Sequence, residues 1–246
     1  MARRLPALLA VAIIAACSGQ ASSAATTPRT LTVFAASSLQ PAFERIARLM
    51  QPTVVTFSYA GTQTLTAQLI QGAQADVFAS ADIEHMGQLA SAGLIQGQSR
   101  IFARNRLEIA VAPGNPKRIL GLADLARPGL VVVLADPSVP AGRYAKEALD
   151  QAGVTVHPAS LEPQVTGVLT KVAIGEADAG IVYVSDIVNS RNVSGVAIPD
   201  AQNIVAEYTI ATLKSAQNPA GANAFVNVFF SGGGQTILLA TGFEGV

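Results

Sequence analysis

Along this chain, short β-branched apolar runs give way repeatedly to longer stretches of helical spacing, and a small or hydroxyl-bearing residue sits at each change. The first change lies in Leu31-Thr-Val-Phe-Ala-Ala-Ser-Ser-Leu39. Leu31 to Phe34 form too short and too β-branched a run for a helix, whereas Leu39, Phe43, Ile46 and Met50 fall on one helical face. The pattern predicts strand, tight turn, helix. Ser37 and Ser38 stand where the first N–H groups of that helix lack an intrahelical partner, a place that suits a capping hydroxyl or a bound anion. Taken alone, the pair reads first as a cap.

The device recurs. Val54 to Tyr59 is a second strand, and the turn Ala60-Gly61-Thr62-Gln63-Thr64 leads to a helix through Leu65, Leu69 and Ile70. Ala75 to Asp82 is a third short strand, with Asp82 placed to cap a helix that carries Ile83, Met86 and Leu89 and stops at Gly93. Leu107 to Gly114 is a strand ended by Pro-Gly, after which a fresh pattern marks a crossing into a second domain. There the strand Leu130 to Ala135 runs through Asp136-Pro-Ser-Val-Pro-Ala-Gly142 into a helix with Tyr144, Ala145, Ala148 and Leu149. Gly142 is expected to lend backbone freedom beside that helix start, and Pro140 to fix the approach. Glu162-Pro-Gln-Val165 opens another helix through Val168, Leu169 and Val172, and Ala179 to Val184 is a buried strand. The chain returns through the alternating strand Glu207 to Thr212 and a helix from Pro219 to Phe230; Gly232 to Gly234 separate it from a last helix near Ile237 to Leu239. Strand and helix alternate throughout, which predicts α/β architecture with largely parallel sheets.

The N-terminus is of another kind. Arg3 and Arg4 precede an apolar stretch from Leu5 to Ala16, far below the ~20 residues that span a membrane, and small residues follow. This is the form of an export signal. Cys17 is the single cysteine of the chain, so no internal disulfide is possible. Its place after Ile-Ala-Ala resembles the bacterial lipobox, in which the cysteine is lipidated and becomes the mature N-terminus. Cleavage near Ala21 to Ala25, which would discard Cys17, is the alternative. Residues 18–29, rich in Ser, Ala and Thr, read as a tether.

Composition narrows the chemistry. Sixteen basic and sixteen acidic residues cancel, charged residues are 13% of the chain, and no basic cluster offers a nucleic-acid footprint. No Lys or Arg stands at the turns of Ser38, Thr62, Ala141 and Val165. If two lobes face each other across a cleft, these four helix starts converge on a ligand beyond the carboxyl ends of the strands. Such a cleft suits a desolvated oxyanion held by hydrogen bonds alone. Each bond to a charged group is worth about 1.5–3 kcal/mol, so about seven give roughly 10–20 kcal/mol gross. After an association cost of order 4–15 kcal/mol, micromolar or tighter binding is within reach. An enzyme lacks an anchor: His85 lies early in a helix, His157 beside Pro158, and no G-x-S-x-G, P-loop lysine or H-E-x-x-H is present. Carboxylates meeting in space, such as Asp82 with Asp136 or Asp186, leave that route open.

Four stretches in order resemble one family. Val33-Phe-Ala-Ala-Ser-Ser-Leu39, Gly72-Ala-Gln-Ala-Asp-Val-Phe-Ala-Ser-Ala-Asp82, Asp136-Pro-Ser-Val-Pro-Ala-Gly-Arg-Tyr-Ala-Lys-Glu-Ala-Leu149 and Gly180-Ile-Val-Tyr183 look like successive signatures of the extracytoplasmic molybdate-binding proteins of ABC transporters. The resemblance covers nearly all of the mature chain. It implies the two-lobed α/β type II periplasmic-binding-protein fold with a ligand cleft between lobes. It also implies a tetrahedral oxyanion, molybdate or tungstate, as cargo, with molybdenum present only in that ion and no cofactor or catalytic residue. Ser38 and Thr62 would give hydroxyl and N–H, Ala141 and Val165 their N–H groups, and Tyr183 its hydroxyl. Two positions depart from the pattern: Thr62 stands where serine is frequent, and Thr166-Gly167 where an arginine is common after the valine. The expected organisation is a signal peptide and tether over 1–29, lobe one over 30–108 and 210–246, and lobe two over 109–209, joined by two crossing strands. Expected partners are an ABC permease and, through lipidated Cys17, the outer face of the cytoplasmic membrane. The protein would be a monomer that binds no nucleic acid. A receptor for another oxyanion such as sulfate, or an enzyme reusing the fold, is the alternative.

Overall fold

The computed structural model describes Met1 and residues 30–246; Cys17, the expected leader and the expected tether lie outside the described residues. The first half starts as β1 (Thr30–Ala36), a turn of 3-10 helix over Ser37–Leu39, and α1 (Gln40–Ala47). It continues as β2 (Val54–Ala60), α2 (Thr62–Ile70), β3 (Val77–Ser80) and α3 (Ile83–Ser91). The apolar face anticipated for the first helix is real: Leu39, Phe43 and Ile46 are fully buried. Asp82 caps α3 by accepting the His85 N–H, and Gly93 turns left-handed after it at φ 70°.

The second half repeats the plan with β5 (Val132–Ala135), α4 (Pro140–Gln151), β6 (Ser160–Glu162), α5 (Val165–Ala173) and β7 (Ala179–Tyr183), then α6 (Val184–Val188) and β8 (Ser194–Ala197). Two longer strands join the halves: β4 (Arg100–Val111) and β9 (Val205–Thr212). The chain closes with α7 (Pro219–Val228) and α8 (Gly232–Ala240). Among the described residues the strand order is β2-β1-β3-β9-β4-β7-β5-β6, with β8 also on β4.

The sheet is less parallel than expected. Within each half the pairs β1–β2, β1–β3, β5–β6 and β5–β7 are parallel. β4 and β9, which arrive from the other half, run antiparallel to each other and to β7, β8 and β3. Both strands pass from one half to the other, and their antiparallel pairing ties the halves together. β4 begins at Arg100 and not at Leu107; its first half pairs with β9 and its second half with β7 and β8. The boundaries at 108/109 and 209/210 fall inside β4 and β9.

The three glycines before the last helix are not a separator. Gly232 to Gly234 form the first turn of α8, capped by Ser231, whose hydroxyl accepts the Gly234 N–H at 3.1 Å. A Cβ on Gly234 would collide with the Val228 carbonyl, so close helix packing explains that residue. α7 and α8 seal the first half around Phe43, whose ring meets those of Phe229 at 4.6 Å, Phe225 at 5.8 Å and Phe102 at 5.9 Å. Aromatic pairs at these separations hold α1, α7 and β4 together. Among the described residues no helix is long and apolar enough to cross a membrane.

Candidate ligand-binding site

Each half places helix starts at the carboxyl ends of its strands, and the two sets face each other. Between them lies a cavity of about 200 Å³, counting the space open to solvent at its mouth. It is small and lined by short side chains and helix-start backbone, which suits a small ion and not a drug-sized ligand. All five residues singled out from the sequence line it: Ser38, Thr62, Ala141, Val165 and Tyr183. Ser38 comes from the 3-10 turn after β1, Thr62 is the first residue of α2, Ala141 the second of α4, Val165 the first of α5, and Tyr183 the last of β7.

The helix starts here carry no side-chain cap. Ala36, Gly61, Val139 and Gln164 hold the cap positions, and no side chain of theirs bonds to the N–H groups that follow. Ser38 and Thr62 therefore do not cap their own helices. The Thr62 hydroxyl oxygen accepts the Ala81 N–H at 3.3 Å, and the Ser38 hydroxyl lies 3.0 Å from that of Tyr208. The Tyr183 hydroxyl is buried and has no hydrogen-bond partner among the described residues. Burial pushes its pKa well above the ordinary tyrosine value, so it stays a donor.

Close backbone approach builds the cavity. A Cβ on Gly61 would come within 2.5 Å of the Pro163 carbonyl, which belongs to the opposite half. Gly142 serves packing and not backbone freedom: it is helical, and a side chain there would strike the carbonyls that end β5. Ser37, which the sequence pairs with Ser38 as a cap or anion site, also lines the cavity; Tyr208, buried behind Ser38, is the residue the sequence does not mark, since it lies in an ordinary alternating strand.

Charge is kept off the cavity wall. The fully buried Asp82 bonds to His85 Nδ1 at 2.9 Å and to Arg143 Nη2 at 2.6 Å, the arginine arriving from α4 across the cleft. Arg143 Nε also lies 3.3 Å from Glu84. Burial favours the neutral acid at Asp82, but the His85 and Arg143 contacts outweigh it and hold the pKa below the usual carboxylate range. Asp136 is engaged separately, by the Ser138 N–H at 2.9 Å and hydroxyl at 2.6 Å. Asp186, behind the cavity, accepts the Tyr183 N–H at 3.0 Å. The three carboxylates thus have separate partners and form no catalytic pair. Among the described residues no group of three or more His, Cys, Asp or Glu is placed to hold a metal ion.

A ring of neutral donors from two lobes around a small cavity is what capture of a solute requires. Residues 31–244 match the family described as bacterial extracellular solute-binding protein. The chain belongs to that family. This solute-binding protein is 44% identical to the molybdate-binding protein ModA of Mycobacterium tuberculosis over 96% of its own length and 94% of that protein. The periplasmic molybdate-binding protein of Azotobacter vinelandii superposes with a TM-score of 0.75 at 22% identity, over 87% of this chain and 98% of that one. The sulfate-binding protein SubI of Mycobacterium tuberculosis does so with a TM-score of 0.79 at 19% identity, over 89% and 87%. At such identities the structural likeness establishes the fold, the two-lobed α/β type II periplasmic-binding-protein fold.

Proposed function

We propose that this solute-binding protein captures molybdate, and tungstate of the same shape and charge, outside the cytoplasm and delivers it to the membrane permease of an ABC importer. The observation that carries the reading is the convergence of Ser38, Thr62, Ala141, Val165 and Tyr183 on one cavity whose helix starts are uncapped and whose wall holds no Lys or Arg. Ser38 and Thr62 would donate hydroxyl and N–H, Ala141 and Val165 their N–H groups, and Tyr183 its hydroxyl. The relative named for molybdate binding, at 44% identity over nearly the whole chain, supports the same ion.

The protein acts as a carrier and not as an enzyme: among the described residues the Ser38 and Thr62 hydroxyls bond to Tyr208 and to the Ala81 N–H and not to a histidine or carboxylate that could activate them. It works as a monomer that closes around one ion and needs no cofactor. Lipid on Cys17 holds it at the outer face of the cytoplasmic membrane; cell fractionation tests that anchor. Sulfate is the rival ligand, since a site made only of donors accepts any fully deprotonated tetrahedral oxyanion and only size separates them. Thr62, with a methyl that serine lacks, bears on that size. Titration calorimetry of the purified protein against molybdate, tungstate, sulfate and phosphate tests the reading. Tight one-to-one binding of the first two with weak or silent sulfate and phosphate is the expected result. Silence from molybdate and tungstate would overturn it.

A further inference from the structure

A serine hydroxyl can donate one hydrogen bond and accept two, so by itself it does not distinguish a bare oxyanion from a protonated one. Toward a dianion it must give its proton, and a partner has to fill its lone pair to keep it in that orientation. Thr62 has such a partner in the Ala81 N–H, a backbone donor that cannot reverse. The counterpart for Ser38 is the hydroxyl of Tyr208 at 3.0 Å, where either oxygen can be the donor. Tyr208 is fully buried and Ser38 is 3% exposed, so water does not compete for this contact.

The Tyr208 ring is fixed. It lies edge to face with Tyr183 at 5.7 Å, Phe243 at 5.2 Å and Phe102 at 6.4 Å. Its strand, β9, is one of the two that cross between the lobes. Tyr208 therefore holds the Ser38 hydroxyl of one lobe while its ring braces the Tyr183 ring of the other. It does not line the cavity itself.

We propose that Tyr208 is a positioning residue for the oxyanion site: its hydroxyl donates to Ser38 Oγ and so makes Ser38 an obligate donor to the bound anion. This inference rests on the oxyanion reading above. With an anion in place, the relay Tyr208 O–H to Ser38 Oγ, then Ser38 O–H to the anion, satisfies both hydroxyls. The reverse relay would point a lone pair at a negative charge. A chain of this kind also polarises Ser38 and strengthens its bond to the ion. A protonated oxyanion such as hydrogen phosphate meets the opposite situation, because its own proton finds no acceptor at Ser38.

The test is a double-mutant cycle of Tyr208→Phe and Ser38→Ala, read by calorimetry with molybdate and by displacement of molybdate with phosphate. Tyr208→Phe removes one oxygen and keeps the ring packing; unchanged melting confirms the fold. The expected result is a 5- to 20-fold loss of molybdate affinity in Tyr208→Phe, a smaller loss for phosphate, and almost no further loss when Tyr208→Phe is added to Ser38→Ala. Additive losses in the cycle, equal losses for the two anions, or a Tyr208→Phe affinity within twofold of wild type would overturn the assignment. A wild-type protein that binds no molybdate would instead overturn the functional reading on which it rests.

Discussion

Two sets of helix starts in this molecule are treated in opposite ways. α3, α7 and α8 begin with Asp82, Asn218 and Ser231, each accepting a first-turn N–H at 3.0–3.1 Å. The turn at Ser38 and helices α2, α4 and α5 begin without a side-chain acceptor, and all four meet at the cavity. A cap stabilises a helix by about 0.5–2 kcal/mol. At α3, α7 and α8 a side chain supplies it; at the four cavity starts none does, and the first N–H groups are left to a ligand. The contrast is sharp at α3, because Ala81 lines the cavity and the next residue, Asp82, closes the helix start.

The largest expected effect lies at the capping side of the comparison, in Asp186. This carboxylate accepts the Tyr183 N–H at the start of α6 and is buried; burial, partly offset by that bond, pushes its pKa up from 3.8 to about 7. The folded protein thus holds a proton there that the unfolded chain releases near pH 4. Stability from this group is complete below about pH 4, falls as pH rises toward about 7, and then levels, with a total loss of up to about 4 kcal/mol. Asp186→Asn keeps an acceptor for Tyr183 without the charge. Melting temperatures should agree with wild type at pH 4 and exceed it at pH 8; equal values at pH 8 would remove the buried carboxylate from the argument.

The second way to break the comparison is to install a cap where the ligand belongs. Gln164 precedes α5 in an extended conformation and is partly exposed, so Gln164→Asp can bond to the free N–H groups without burying its charge. The helix should gain about 0.5–2 kcal/mol and the melting temperature a few degrees. The carboxylate would occupy the donors and repel a dianion, so molybdate affinity should fall at least ~100-fold. Stabilisation with unchanged binding would mean that α5 does not face the ligand.

How much of this was legible in the sequence depends on distance along the chain. The four cavity turns were, because each is a local event in which an apolar run breaks at small or hydroxyl residues before a helical period. Arg100 to Arg106 do not read as strand in the sequence, since the arginines of β4, one exposed and two half-buried, mask the buried Phe102 and Asn105 between them. The glycines of α8 were read as a break because their packing against the Val228 carbonyl exists only in the fold. Tyr208 meets Ser38 over 170 positions, and Arg143 meets Asp82 over 61, so neither leaves a local trace.

The Arg143 contact gives the smallest and most specific test. Asp82 caps a helix of lobe one and also receives Arg143 from the helix of lobe two that begins at the cavity, so one carboxylate serves both the fold and the approach of the lobes. Arg143 is about a third exposed, and an ion pair so placed contributes on the order of 1 kcal/mol. Arg143→Ala leaves Asp82 its bonds to the His85 N–H at 3.0 Å and ring at 2.9 Å, so the protein should still fold. What is lost is a contact made only when the lobes are together. Affinity for the ion is scaled by the closed fraction, so molybdate should bind about three- to tenfold more weakly, with the change in the release rate and little in the capture rate. Stopped-flow measurement separates the two rates. A slower capture at unchanged release would assign Arg143 to attraction of the anion and not to holding the lobes closed.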